Sequence, residues 1–329
     1  MNKRTIIFRA DGNHVIGMGH FFRTLALAEM LKEEFNCIYA TKNPNEFQVN
    51  EILKICSDYI VLPDNIDHFN TFLNYLTGNE IVVLDNYYFD TNYQINIKKK
   101  GCKLVCIDDL HDKHFVADVI INQAEGINPS LYSCEDYTKI YIGFDYALLR
   151  KSFLEIGETI SKNKEFSFII FMGAADPYNL TNSLFDLLIN HEFNKPFILI
   201  SKDNSFIKGT NNNKFVFFDN LSTNQLKEKM LLSEFGIFPS STIAIEAIAL
   251  RIPFICGYYI NNQKEIYNGI KKNKLAVCVG NYLQITSSEF NKALEEISLP
   301  LSKQKIINNQ KEVFDKKSPK RILEIFKKL

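Results

Sequence analysis

The feature that most constrains this chain is an alternation, repeated twice, of short apolar runs with amphipathic segments. The first series of runs is Thr5 to Phe8, Cys37 to Ala40, Tyr59 to Leu62, Ile81 to Leu84, Lys103 to Ile107, Val119 to Ile121 and Ile140 to Ile142. Between them, Phe21 to Glu34, Asn45 to Ile55, Ile66 to Leu76 and Thr91 to Lys100 carry apolar residues at helical spacing. Runs of strand length that alternate with crossover-length helices predict a parallel sheet covered on both faces. The pattern breaks between Phe144 and Lys164, where Asp145 to Lys151 reads as a helical connection and Glu158 to Glu165 as a linker. It restarts with strands Phe166 to Met172, Phe197 to Ile200, Phe215 to Phe218, Phe235 to Phe238, Pro253 to Cys256 and Ala276 to Val279. Helices are expected at Asn179 to Ile189 and Thr223 to Leu232, from Ser240-Ser241-Thr242, up to Asn273, and then to the end. Two α/β domains follow from this, residues 1–157 and 158–329.

A chain of 329 residues with 46% apolar residues suits two ordinary domains. Its 38 basic residues equal its 38 acidic ones, which gives no electrostatic case for nucleic acid or an anionic membrane. The apolar run after Lys3 and Arg4 stops at Phe8, short of a signal-peptide core, and no apolar segment is long enough to span a bilayer. The seven cysteines form no Cys-x-x-Cys, an odd-numbered set that favours reduced thiols in a cytoplasmic protein. No cofactor or metal is expected. His111 and His114 with Asp108, Asp109 and Asp112 could be drawn as a metal site, but a polar loop after a buried strand is the commoner arrangement. The Asn211-Asn212-Asn213 run suits a solvated loop. Phe314 to Leu329 is cationic, with Ile322, Leu323, Ile325, Phe326 and Leu329 on one face, and packing on its own protein is expected over lying on a membrane.

Ligands of open α/β sheets bind beyond the carboxyl ends of the strands. The glycine loop Gly12 to Gly19 lies at such an end and opens a helix at His20. A helix start suits an anionic ligand, and a neutral imidazole there suits a general base; the alternative is a tight turn that His20 caps. Asp85-Asn86-Tyr87-Tyr88 and Asp108-Asp109 end two further strands and extend this polar rim. In the second half, Ser240-Ser241-Thr242 at a helix start can leave amides for a pyrophosphate, with Glu246 placed to accept from ribose hydroxyls. The competing reading is a plain N-cap followed by a solvent-facing Glu246.

Several blocks occur together in one order: Arg9-x-Asp11, Gly17-x-Gly19-His20-x-x-Arg23, Asp85-x-Tyr87, Ile107-Asp108-Asp109, Gly143-x-x-Tyr146-x-Leu148-Leu149-Arg150, Ser240-Ser241-Thr242 with Glu246-Ala247, and Asn262-Gln263. From Arg9 to about Gln263 the chain resembles the UDP-sugar hydrolases of pseudaminic acid biosynthesis. These remove UDP from UDP-2,4-diacetamido-2,4,6-trideoxy-β-L-altropyranose. The resemblance implies a GT-B-like fold, two Rossmann-type domains with a ligand cleft between them. It implies that His20 activates water with inversion and without a metal, that Glu246 holds the ribose, and that Ser240, Ser241 and Thr242 hold the pyrophosphate. Tyr87, Asn262 and Gln263 become sugar-side contacts, and Gly17, Gly19, Asp85 and Gly173 complete the substrate-binding set. Arg23 is expected to pair with Asp11. The expected partner is a small-molecule UDP-sugar, and the protein a monomer. One departure is Gly173-Ala174-Ala175-Asp176, where the family has Gly-Gly-Ser/Thr-Asp; Ala174 demands an ordinary backbone conformation, and Ala175 removes a phosphate donor. The alternative function is a GT-B glycosyltransferase, with Lys98-Lys99-Lys100 and the last helix facing a lipid acceptor; a third is an idle nucleotide-sugar binder.

Overall fold

A computed structural model describes residues 3–13, 17–155, 163–189, 191–203 and 214–329. The expected division at 157/158 and the run Asn211–Asn213 lie outside the described residues. The first half runs β1 (Thr5–Ala10), α1 (Gly19–Leu31), β2 (Asn36–Lys42), α2 (Glu46–Leu53), β3 (Asp58–Leu62), α3 (His68–Tyr75), β4 (Ile81–Asp85), α4 (Thr91–Lys99) and β5 (Lys103–Ile107). It continues through β6 (His114–Phe115), β7 (Val119–Asn122), β8 (Ser133–Cys134), β9 (Lys139–Ile142) and α5 (Lys151–Leu154). Seven strands form one sheet in the order β3-β2-β1-β4-β5-β7-β9, all parallel, and β6 pairs with β8 in a small separate ribbon. Strand β4, Ile-Val-Val-Leu-Asp, is buried at every position, as a strand covered by helices on both faces must be. The ribbon was not foreseen, since two-residue strands carry no periodicity. The expected helix at Asp145 to Lys151 is instead a single 3₁₀ turn at Phe144–Tyr146.

The second half runs β10 (Phe166–Phe171), α6 (Leu180–Leu188), β11 (Phe197–Ile200), β12 (Phe215–Phe218), α7 (Thr223–Leu232), β13 (Ser233–Pro239), α8 (Thr242–Leu250), β14 (Phe254–Tyr258), α9 (Lys264–Lys272) and β15 (Val277–Asn281). Helices α10 (Ser287–Ser298), α11 (Pro300–Val313) and α12 (Ser318–Phe326) close the chain. Its six-stranded sheet has the order β12-β11-β10-β13-β14-β15, again parallel throughout. Capping boxes start α7 at Ser222 with Gln225 and α10 at Thr286 with Glu289, so these boundaries are fixed by local chemistry.

The chain divides into two compact units. The first takes in Met1–Asn13, Met18–Lys151 and also Lys316–Leu329, and the second Ser152–Asp315. The last helix was expected in the second domain, yet α12 belongs to the first. Ile322, Ile325 and Phe326 join the core cluster formed by Phe8, Phe21, Leu31 and Phe35, and Lys327 pairs with Glu34 at 3.0 Å. The amphipathic face found its apolar partner, as expected, but on the other unit. Among the described residues, no helix is long and apolar enough to cross a membrane.

Candidate functional site

In each sheet the strand order reverses once, between β1 and β4 and between β10 and β13. A crevice opens beyond the strand ends at such a reversal, and both sets of sequence motifs lie there. In the first unit Ala10, the last residue of β1, sits opposite Asp85, the last of β4. Gly12 lets α1 fold back over this edge, because a Cβ there would stand 2.7 Å from Phe21 Cβ. Gly17 has φ +80°, in the left-handed region that glycine enters without strain. Gly19 opens α1, and a Cβ on it would meet nothing within 4 Å among the described residues. Met18, which precedes α1, makes no side-chain cap to its first turn.

His20, on the first turn of α1, is 7% exposed, and its Nδ1 lies 2.7 Å from Asp85 Oδ1. A carboxylate only accepts, so Nδ1 is the donor in this contact, and Arg23 Nη2 stands 3.2 Å from the same nitrogen; Asp85 engages Nδ1 and not Nε2. Asp85 is fully buried. Its Oδ1 also accepts from Arg23 Nη2 at 2.6 Å, and its Oδ2 accepts from Arg23 Nε and Thr24 Oγ1, each at 2.7 Å. Burial alone would raise its pKa; the Arg23 guanidinium, then His20, outweigh that and hold it well below the usual carboxylate range. Two expectations are corrected here. Asp85 does not face substrate, since both its oxygens are engaged within the protein. Arg23 pairs with Asp85 and, through Nη1 at 2.7 Å, with Asp109, not with Asp11. Tyr87, 37% exposed, donates to Asp109 Oδ2 at 3.0 Å and sets its ring edge on the His20 imidazole at 4.6 Å between centroids.

Asp11 instead belongs to Arg9, fully buried on β1 and 2.6 Å away. It further accepts from Lys42 N at 2.8 Å, Thr41 Oγ1 at 3.0 Å and the Tyr88 hydroxyl, and its own amide donates to Asn86 Oδ1 at 2.7 Å. Burial would raise its pKa, but Arg9 brings it down to about 2. The Arg-x-Asp block is thus the clamp that ties the ends of β1, β2 and β4. His111 and His114 build nothing further: Asp108 accepts from the amides of Leu110 and His111 and from Tyr132, and His114 meets Ser133 and Glu135. Among the described residues no cluster of three or more His, Cys, Asp or Glu could hold a metal ion.

In the second unit the loop after β10 has Gly173 at φ +99°, where any side chain is strained, whereas Ala174 has the ordinary negative φ that its identity demanded. Asp176 caps α6, accepting from Leu180 N at 2.8 Å and Thr181 N at 2.9 Å. After β13, Ser240 is fully buried, and its hydroxyl lies 3.0 Å from both the Gly257 and Gln263 carbonyls. Its hydroxyl proton is therefore engaged internally, and the expected phosphate contact at Ser240 is corrected to a structural one. Ser241 and Thr242 are half-buried, and Ser241 makes no side-chain cap to α8. Glu246 is 3% exposed, not the solvent-facing residue of an ordinary surface helix. Gln263 accepts from Tyr259 N at 3.0 Å, while Asn262 is half-buried. Tyr259, which the sequence did not single out, donates its hydroxyl to Met172 O at 3.2 Å beside Gly173. Through Tyr259 and Ser240 the three motif loops of this unit are one construction.

No family model matches the chain. It is 27% identical over 282 residues to an uncharacterized protein of Methanocaldococcus jannaschii, a match covering 80% of this chain and 57% of that protein. It is 25% identical over 287 residues to the UDP-2,4-diacetamido-2,4,6-trideoxy-beta-L-altropyranose hydrolase of Campylobacter jejuni, covering 81% of this chain and 96% of the hydrolase. Among solved structures, MurG of Acinetobacter baumannii matches with TM-score 0.69 at 10% identity over 99% of this chain and 100% of that one. CalG4, the calicheamicin glycosyltransferase, matches with TM-score 0.66 at 10% identity, covering 99% of this chain and 98% of CalG4. A Listeria monocytogenes protein described as a UDP-N-acetylglucosamine 2-epimerase gives 0.65 at 10% identity over 99% and 96% of the two chains. The chain is thus a GT-B-like protein of two Rossmann-like domains, and the resemblance carried by its motif blocks is borne out by the similarity to the Campylobacter hydrolase.

Proposed function

We propose that this protein is a nucleotide-sugar hydrolase that releases UDP from UDP-2,4-diacetamido-2,4,6-trideoxy-β-L-altropyranose, with water as the acceptor and inversion at the anomeric carbon. The observation that carries the reading is the His20–Asp85 contact at 2.7 Å, with Asp85 fully buried beneath it. Asp85 fixes the tautomer, and Nε2 takes a proton from water as the water oxygen bonds to the anomeric carbon and the bond to UDP breaks. Positioned proton transfer contributes roughly a hundredfold to ten-thousandfold in rate. UDP leaves with its charge held by the free amides at the start of α8, by Ser241 and Thr242, and by the Gly173 loop, while Glu246 accepts from the ribose. Gly17 and Gly19 let substrate approach the base, and Tyr87, Asn262 and Gln263 contact the sugar.

One observation weighs against the transferase alternative. Lys98 and the last helix do meet, around a hollow of about 410 Å³ lined also by Lys103, Lys139 and Lys328. It lies at the amino ends of β5, β7 and β9, the end of the sheet opposite to Asp85 and His20, so an acceptor held there is remote from the base. The test is His20→Ala. UDP affinity by calorimetry stays within about twofold while turnover falls about a hundredfold or more. Normal turnover in this variant removes His20 as the base.

A further inference from the structure

Asp109 has no place in the chemistry described so far, yet it is the joint between two site residues. It follows β5, is 8% exposed, and accepts from Arg23 Nη1 through both oxygens, at 2.8 and 2.7 Å. The same guanidinium holds Asp85 through Nε and Nη2. One buried cation therefore fixes two carboxylates, and each carboxylate holds one group at the mouth of the site. Asp85 holds His20 through Nδ1, and Asp109 holds the Tyr87 hydroxyl at 3.0 Å. The Tyr87 backbone is fixed separately, because its carbonyl accepts from Lys113 Nζ at 2.9 Å. With both ends of Tyr87 anchored, its ring stands edge-on to the imidazole at 79° between planes, and its outer part remains in solvent.

We infer that Asp109 is a positioning residue: clamped by Arg23, it anchors the Tyr87 hydroxyl and so holds the Tyr87 ring against His20 as a rigid wall of the site. The role of that wall, an apolar surface for the sugar ring beside the base, rests on the hydrolase reading. The anchoring itself does not. A tyrosine hydroxyl that donates to Asp109 is not free to donate to the sugar, so the ring and not the hydroxyl meets substrate.

The experiment combines NMR on the ligand-free protein with kinetics, for Tyr87→Phe, Asp109→Ala and the double variant. Tyr87→Phe alters a partly exposed side chain and keeps the protein folded. The His20 ring-proton shifts, set by the neighbouring aromatic ring, move in the same direction in both single variants. In UDP release each single variant raises KM about five- to tenfold with kcat within about twofold, and the double variant is no worse than Asp109→Ala alone. Unchanged His20 shifts in Tyr87→Phe overturn the anchoring, and this arm stands even if Asp109→Ala does not fold. Additive KM effects overturn it as well, since they mean that the hydroxyl acts on the sugar directly. If the wild-type protein releases no UDP, the hydrolase reading fails while the NMR arm still decides the positioning.

Discussion

At the residue scale, the two glycines flanking Met18 separate backbone need from ligand access. Gly17→Ala places a Cβ at φ +80° and costs about 1 kcal/mol of stability, read as a lower urea midpoint. Gly19→Ala has room for its Cβ and a helical backbone, so stability holds or rises by up to about 1 kcal/mol. If substrate approaches across Gly19, turnover falls nonetheless; an active Gly19→Ala enzyme argues for an approach elsewhere. Asp85→Asn keeps the shape of the contact but lets His20 adopt the wrong tautomer, and it lowers kcat about a hundredfold or more while KM stays within about threefold. The place of His20 on the first turn of a helix was legible in the sequence because a glycine loop before a helix is a local signal. The partners of Arg23 were not, because Asp85 and Asp109 lie 62 and 86 residues away and reach it only through the pairing of β1, β4 and β5. Asp85 itself was legible as a strand-end acid, but nothing local distinguished a residue bonded to His20 from one facing substrate.

At the element scale, the strands of the two large sheets were legible because each is a nearly pure apolar run, as in Phe197–Ile200 and Phe215–Phe218, which match to the residue. The start of α7 was legible, at Thr223 after the Ser222 capping box, whereas the box at Thr286 that starts α10 was passed over. What local pattern could not assign was the partner of α12, since an amphipathic face states only that something covers it. Ile322, Ile325 and Phe326 are buried to 6% exposure or less, and at about 1.5 to 3 kcal/mol each their removal costs most of a domain's stability. Truncation after Asp315 is therefore expected to unfold the first unit while the second keeps its cooperative transition, seen as loss of one of two calorimetric transitions. On α8, Glu246→Ala raises KM with kcat nearly unchanged if the carboxylate holds the ribose; a change confined to kcat contradicts that role.

At the scale of the whole molecule, the first unit carries its own acid sensitivity. His68 lies 3.3 Å from Arg9 Nη2, a donor, so its Nδ1 accepts and the ring is neutral. Burial, then Arg9 and Lys42, bring its pKa down to about 4, against the opposing pull of Asp11 and Asp64. The unfolded chain takes up this proton first, so stability is full above about pH 6.5 and falls toward pH 4, by about 1 to 2 kcal/mol after allowance for solvent screening. Asp11, held at about 2, adds a second loss of about 2 kcal/mol between pH 4 and pH 2 as the unfolded carboxylate protonates first. Urea unfolding at pH 7 and pH 5 checks the first stage: His68→Asn keeps an acceptor for Arg9 and flattens that step. The two-unit plan was legible because the alternation restarts at Phe166, whereas the return of the chain's last segment to the first unit required the fold. The central claim is that water is the acceptor. The direct measurement is incubation of the purified protein with the UDP-sugar in ¹⁸O-labelled water without any acceptor, followed by mass spectrometry and NMR of the products. Release of UDP, with the label on the anomeric oxygen of an inverted free sugar and none on UDP, is the predicted result. UDP release only on addition of an acceptor, or label on the phosphate of UDP, contradicts it.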